Sequence, residues 1–298
     1  MLYELFMITS KKEIRMNVMD NHMEKYLNAH PFLRETAELQ LSLHAAIRPG
    51  ISPLELPDTD EVKALTKDGV PLLQHKAYQE KAIQTLVAQL PAVLEQLQSL
   101  ECPQPMQEAR RFLAEWTQKQ TVDKLVALCG LLLRQEDDKL SAFLQEEQLP
   151  EQLLRTVLWQ LVEAMVPAPL KDYAFWQKAG WNKNFCPICG RQPVMAHLRK
   201  EKEGRARFLL CDGCHTEWPF ARVGCVYCGN TDLTKMHILE PEEQTAMRMD
   251  VCDVCQSYIK TYNEEGAESV YLHDWATIHL DLLAEEKGLH KKGSSLLA

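Results

Sequence analysis

The sequence predicts an α-helical N-terminal domain followed by two tandem small zinc-ribbon units that bind metal, the whole closed by a C-terminal helix. Three observations carry this reading. From about Glu24 to Pro167 the chain is rich in Leu, Ala, Gln, Glu and Lys, all good helix formers, with few strand signals. From Cys186 to Cys255 four Cys-x-x-Cys pairs, CPIC, CDGC, CVYC and CDVC, use eight of the ten cysteines. After them Leu272, Trp275, Ile278, His279, Leu282 and Leu283 recur at steps of three and four, and Gly288 is placed to end a helix. The expected divisions are a helical domain at 1–180, a first ribbon at 181–224, a second at 225–271 and a helix with its tail at 272–298.

In the helical half, Asn28 to Pro31 marks a boundary and the stretch to Ile47 has mixed apolar spacing that favours helix only in part. Arg48-Pro49-Gly50 ends it. Thr59 opens a short helix closed by Gly69 and Pro71, and His75 to Leu100 carries Ala82, Ile83, Leu86, Val87 and Leu90 on one face. Pro91 should kink or divide that helix. Pro105 to Gln118, Thr121 to Arg134, Asp138 to Gln148 and Pro150 to Val166 follow. The last is clearest, because Leu154, Val157, Leu158, Leu161, Val162 and Met165 share a face. About six helices should therefore pack as a bundle. Pro167-Ala168-Pro169 is the strongest boundary signal, with one more amphipathic turn from Tyr173 to Gly180 beyond it.

The cysteine region is an internal repeat. Cys186-Pro-Ile-Cys189-Gly190 aligns with Cys225-Val-Tyr-Cys228-Gly229, and Cys211-Asp-Gly-Cys214 with Cys252-Asp-Val-Cys255, at offsets of 39 and 41 residues. The paired motifs are separated by 21 residues in one unit and 23 in the other, which fits zinc ribbons with slightly long linkers. Val194 to Leu198 with Arg205 to Leu210, and Thr234 to Glu240 with Thr245 to Val251, are the expected hairpins. Gly190 and Gly229 suit a chain that turns tightly around sulfur. Sequential pairing is expected: Cys186, Cys189, Cys211 and Cys214 on one ion, Cys225, Cys228, Cys252 and Cys255 on the other. An interleaved cross-brace needs its middle pairs nearly adjacent, and ten residues separate them here.

Four thiolates accept zinc or a single iron, and ribbons as a class favour zinc. His215 and His237 are candidate substitute ligands, although surface positions suit them better. Cys129 reads as core and Cys102 as loop.

Composition narrows the function classes. The formal net charge of −9 opposes nucleic-acid binding by bulk electrostatics. No apolar run reaches membrane-spanning length, no secretory signal is evident, and clustered cysteines in an unexported chain favour metal over disulfides, so a soluble cytoplasmic protein is expected. Met16, Met19 and Met23 offer alternative starts. With four protein sulfurs per ion there is no open coordination position, and no phosphate loop, GxSxG or HExxH motif occurs, so no catalytic residue is assigned. The segment 183–222 has eight basic and four acidic residues, whereas 225–265 has three and eight. The first ribbon could thus present a basic face, through Arg199, Lys200 and Arg207, to a polynucleotide or an acidic protein; an ordinary solvated hairpin tip explains the same charges. A third class, a thiol oxidoreductase, needs an exposed dithiol at a helix start, for which the sequence offers no sign.

The order CPICG, then CDGCHTEWPFARVGCVYC, then CDVCQSYIKTY, with the closing stretch around Asp274 and Asp281 to Glu286, resembles the formate dehydrogenase accessory protein family, FdhE. The resemblance covers about Phe185 to Gly288; the N-terminal half agrees in type and length only. It implies a cytoplasmic, non-catalytic factor needed for active molybdenum- or tungsten-dependent formate dehydrogenase and contacting its catalytic subunit. It further implies rubredoxin-like or ribbon-like knuckles, and it raises iron as the metal beside zinc. Trp218, Tyr258 and Arg222 are candidate partner contacts, against which stands packing of the two aromatic rings on their own knuckles. Self-association is left open.

Overall fold

Four helices begin where the sequence supplies a side-chain cap. Asp20, Asp58, Thr121 and Asp172 each turn a side-chain oxygen onto the first free amides of the helix that follows. The computed structural model describes residues 20–55, 58–241 and 246–293. The alternative starts Met16 and Met19 and the hairpin residue Thr245 lie outside them, and Met23 is buried. Ten helices precede the first knuckle among the described residues: α1 Asn21–Ala29, α2 Arg34–Ile47, α3 Thr59–Thr66, α4 Lys76–Leu97, α5 Gln104–Lys119, α6 Val122–Leu133, α7 Asp137–Glu146, α8 Glu151–Met165, α9 Ala168–Lys171 and α10 Tyr173–Ala179. The expected bundle of about six gains its extra members from short helices in the connectors. No described helix is long and apolar enough to cross a membrane.

Pro91 does not divide α4, which runs unbroken for 22 residues. Leu86, Leu90, Val93, Leu94 and Leu97 are buried on both sides of the proline. Their burial, about 1.5–3 kcal/mol per large aliphatic side chain, is large enough to offset the hydrogen bond lost at the proline.

Among the described residues seven strands form one sheet: β1 Pro193–Glu201, β2 Gly204–Cys211, β3 Glu217–Phe220, β4 Met236–Leu239, β5 Met247–Cys252, β6 Ser257–Tyr262 and β7 His290–Lys291. The two expected hairpins are β1–β2 and β4–β5, both antiparallel. Strand order is β3-β2-β1-β6-β5-β4. β6 leaves the last knuckle, pairs with β5 along its whole length, and offers its other edge to β1, parallel, at Met195↔Lys260. β7 takes the remainder of that edge at Ser257↔His290. The two ribbons are therefore fused edge to edge through β1 and β6.

The closing segment is broken where one helix was expected. It consists of α11 Glu268–Tyr271, a 3₁₀ turn Asp274–Thr277 and α12 Ile278–Glu286. Val270, Trp275 and Ala276 pack against Met23, Tyr26, Leu27, Leu33 and Ala37 of the first helices, and the Tyr26 hydroxyl donates to the Ala276 carbonyl at 2.6 Å. The segment thus ties the N-terminal helices to the sheet. Tyr258 is buried, and its hydroxyl donates to Asp281 Oδ1 at 2.7 Å. It packs inward and is no partner contact.

Candidate metal centres

The eight sulfurs meet in two groups, Cys186 with Cys189, Cys211 and Cys214, and Cys225 with Cys228, Cys252 and Cys255; within each group all lie within 4.8 Å of one another. Pairing is sequential. Sγ–Sγ separations are 3.5 Å for Cys186–Cys214 and 3.4 Å for Cys189–Cys211 in the first group, and 3.6 Å for Cys225–Cys255 and 3.7 Å for Cys228–Cys252 in the second. These are far too long for disulfides, whose sulfurs sit about 2 Å apart. They approach the edge of about 3.8 Å that four sulfurs at about 2.3 Å from a central ion would define. The donor set and its spacing therefore fit one tetrahedral four-thiolate ion per group.

The backbone supports the same conclusion. Cys186 N–H donates to the Arg191 carbonyl and Gly190 N–H to the Cys186 carbonyl, each at 2.9 Å; in the second unit Cys225 N–H donates to Asn230 at 2.8 Å and Gly229 N–H to Cys225 at 3.2 Å. The loops so closed aim amides at sulfur: Ile188 at Cys186 (3.4 Å), Gly213 at Cys211 (3.3 Å) and Tyr227 at Cys225 (3.4 Å). Such donors favour the thiolate over the thiol.

Each of the four knuckles puts the residue after its second cysteine in the left-handed region: Gly190 at φ 84°, His215 at 54°, Gly229 at 73° and Gln256 at 55°. His215 is accordingly no ligand. Its place is set by the turn, and its Nδ1 lies 3.3 Å from Glu163 Oε2. His237 pairs with Asp253 at 3.2 Å, also away from the sulfurs.

The two centres differ in surroundings. All four first-group cysteines are buried within the main hydrophobic core, whereas Cys228 is exposed and Cys255 half-buried. Burial pushes the Cys186, Cys189 and Cys211 thiols well up, and the Cys225 thiol up to about 12. Without a cation these four sulfurs hold their protons, whereas at Cys214 and Cys255 burial is outweighed by hydrogen bonds from neighbouring groups, which draw both thiols down; a bound ion displaces the remaining protons, so ion binding weakens as pH falls.

The helical half grips the first knuckle. Leu72 and Leu73 amides donate to the Pro187 and Ile188 carbonyls at 2.9 and 2.8 Å. Gln135 Nε2 donates to the Cys189 carbonyl at 2.7 Å. Arg191 forms a two-pronged bond with Asp212, at 2.6 and 2.7 Å, and its guanidinium lies 4.7 Å from the Trp159 ring centre. Gln135 sits in the turn between α6 and α7, and nothing in the sequence separates it from the chain's other glutamines, so this clamp could not be read there. Gly213 lies against the same ring: a Cβ there would come within 2.7 Å of Trp159 and 2.8 Å of Arg191. Gly213→Ala should therefore destabilise the chain by about 1–3 kcal/mol, measured by thermal melting, with the knuckle's own turn unaltered.

The proposed basic face does not assemble. Arg207 is buried and donates to the Gly224 carbonyl at 3.0 Å, and Arg199 pairs with Glu217 at 2.8 Å, which leaves Lys200 exposed. Trp218 is fully buried, its indole N–H on the Lys183 carbonyl at 2.9 Å; Arg222 is exposed. Cys129 is buried in α6, and Cys102 lies in the connector before α5.

Comparison with known proteins agrees with this geometry. Residues 185–222 match the family model for the FdhE central domain and residues 223–298 that for the FdhE C-terminal domain, one four-cysteine group in each. An FdhE homolog of Aquifex aeolicus is 31% identical over 155 residues, 51% of this chain and 54% of that protein. One from Proteus mirabilis is 27% identical over 259 residues, 86% of this chain and 78% of that protein. The crystal structure of the FdhE protein from Pseudomonas aeruginosa superposes with a TM-score of 0.60 at 20% identity, covering 90% of this chain and 88% of that one, so the likeness in fold extends into the helical half. Residues 185–298 thus carry the FdhE central and C-terminal domains in order, and the chain as a whole resembles the FdhE proteins in fold.

Proposed function

We propose that the chain is a cytoplasmic, non-catalytic accessory factor required for active formate dehydrogenase, and that it acts by binding the catalytic subunit. The observation that carries this reading is the closure of both centres: four cysteine sulfurs surround each ion position and leave no ligand site for a substrate. A chain of this kind works through recognition by its surface. Cys186, Cys189, Cys211 and Cys214 would hold one ion, and Cys225, Cys228, Cys252 and Cys255 a second. Zinc would act as a structural staple, and iron would add one-electron chemistry.

The partial exposure of the second centre makes it the one that iron could use to exchange electrons with a docked enzyme. Purification without oxygen, followed by elemental analysis, tests this: about two metal equivalents are expected, and zinc alone would remove the redox role. Co-purification of the formate dehydrogenase catalytic subunit with the tagged chain under the same conditions tests the partner. Absence of any association there would overturn the accessory reading.

A further inference from the structure

Beside the second centre lies a groove of about 220 Å³ whose described lining carries more cations than anions. Three guanidinium groups, Arg207, Arg222 and Arg248, line it with one carboxylate, Asp250. That carboxylate is already engaged, by Arg248 at 2.9 Å and by the Thr261 hydroxyl at 2.8 Å. Arg207 is 3% exposed, and both its Nε and that of Arg248 are buried without a hydrogen-bond partner. Burial draws Arg207 down to about 10, with Asp250 opposing the shift and Arg222 and Arg248 adding to it. Unpaired buried N–H donors on cations are costly, and an incoming anion relieves that cost.

The rim of the same groove is aliphatic. Val223, Leu233 and Ile238 are 60%, 58% and 50% exposed, an unusual concentration of bare side chains around a cationic floor. A free inorganic anion would use the floor and leave the rim wet. A polynucleotide would be drawn to the cations but has no use for three aliphatic side chains, and the chain's net charge of −9 opposes it. A peptide that alternates carboxylate and aliphatic side chains uses both.

We propose that this groove binds an acidic-aliphatic peptide segment of a protein partner, one carboxylate entering between Arg207, Arg222 and Arg248 while flanking aliphatic side chains cover Val223, Leu233 and Ile238. Gly224, the residue before the metal-site Cys225, lines the groove, so the bound segment lies next to the chain that enters the second centre.

The probe is a fluorescein-labelled peptide, acetyl-Leu-Glu-Leu-Asp-Leu-Glu-amide, titrated with the metal-loaded full chain and followed by anisotropy. A peptide with Gln and Asn for Glu and Asp should bind at least about tenfold more weakly, and so should the acidic peptide to Arg222→Glu, since one interfacial charge pair is worth about that much. Arg222 is exposed, so the variant should keep the wild-type melting curve. Ile238→Ser should weaken binding several-fold, by loss of apolar contact. Equal affinity for the uncharged peptide, or unchanged affinity in Arg222→Glu, would overturn the proposal. So would displacement of the peptide by inorganic phosphate at similar concentration, or by an RNA oligonucleotide at physiological salt.

Discussion

Cys189→Ser is expected to abolish the fold, whereas Cys228→Ser should yield a folded chain with one fewer bound ion. Structural zinc contributes about 10–16 kcal/mol of apparent binding free energy, against a net stability of about 5–15 kcal/mol for a typical domain. Loss of the ion from the first centre thus removes as much as the whole margin. The damage cannot stay local, because Cys186, Cys189, Cys211 and Cys214 share one core with Leu128, Leu132, Leu154, Val157, Leu158 and Trp159.

The second centre has a different dependence. Cys228 is exposed, and the strands that lead to it are held by a separate core of Met247, Met249, Val251, Tyr262 and Leu280. Its loss should loosen the β4–β5 hairpin and leave the helices intact. Circular dichroism melts and metal content per chain distinguish the two variants. A chelator applied to the wild type should remove one equivalent quickly and the second only at the rate of unfolding. Equal sensitivity of the two centres, in either experiment, would contradict the difference in burial.

The two centres were legible in the sequence because a knuckle is a local object. Four residues fix each pair of sulfurs, and the repeat offset tells which pairs belong together. The helices were legible for a similar reason: the 3.6-residue period of α8 reports its buried face directly. What joins the ribbons was not legible. Met195 and Lys260 are register partners 65 residues apart in parallel strands, and no turn connects them to announce the pairing. Residues that look like surface in one dimension are also misleading here. Arg207, Lys260 and Tyr258 carry polar ends that a reader assigns to solvent, yet the fused sheet and its covering helices enclose all three. The left-handed positions of His215 and Gln256 were hidden as well, because only two of the four knuckles use glycine there.

Asp281→Ala should cost about 3–5 kcal/mol, the penalty for breaking a buried ion pair by removing one partner. Lys260 is fully buried on β6, and its ammonium lies 2.7 Å from Asp274 and 2.8 Å from Asp281. Lys291 on β7 reaches the same two carboxylates, at 2.7 and 2.9 Å, while Tyr258 donates to Asp281. Two ammoniums and two carboxylates therefore balance around the fully buried Lys260, with Lys291 and Asp281 reaching the edge of the solvent, and they fasten the closing segment to the sheet. Truncating Asp281 leaves two cations facing one anion, so the melting temperature should fall sharply.

Removing the opposite charge as well should recover part of the loss. Lys260→Met combined with Asp281→Leu leaves Lys291 paired with Asp274 and fills the space with apolar volume, so the double variant should be more stable than Asp281→Ala alone. A double variant as unstable as the single one would show that packing, and not charge balance, sets the cost.

The pH dependence follows from the same groups. Burial pushes Asp274 up, but Lys260 and Lys291 outweigh it and hold the carboxyl below its ordinary 3.8; its contribution is present above that value and is lost as pH falls through the lowered one. Burial pulls Lys291 down, but Asp274 and Asp281 raise it above its ordinary 10.5; its contribution is present below that value and is lost as pH rises through the raised one. The network should therefore stabilise the chain evenly between these limits. The difference in melting temperature between wild type and Asp274→Asn should be flat across neutral pH and shrink only once the pH falls below 3.8 and through the lowered value.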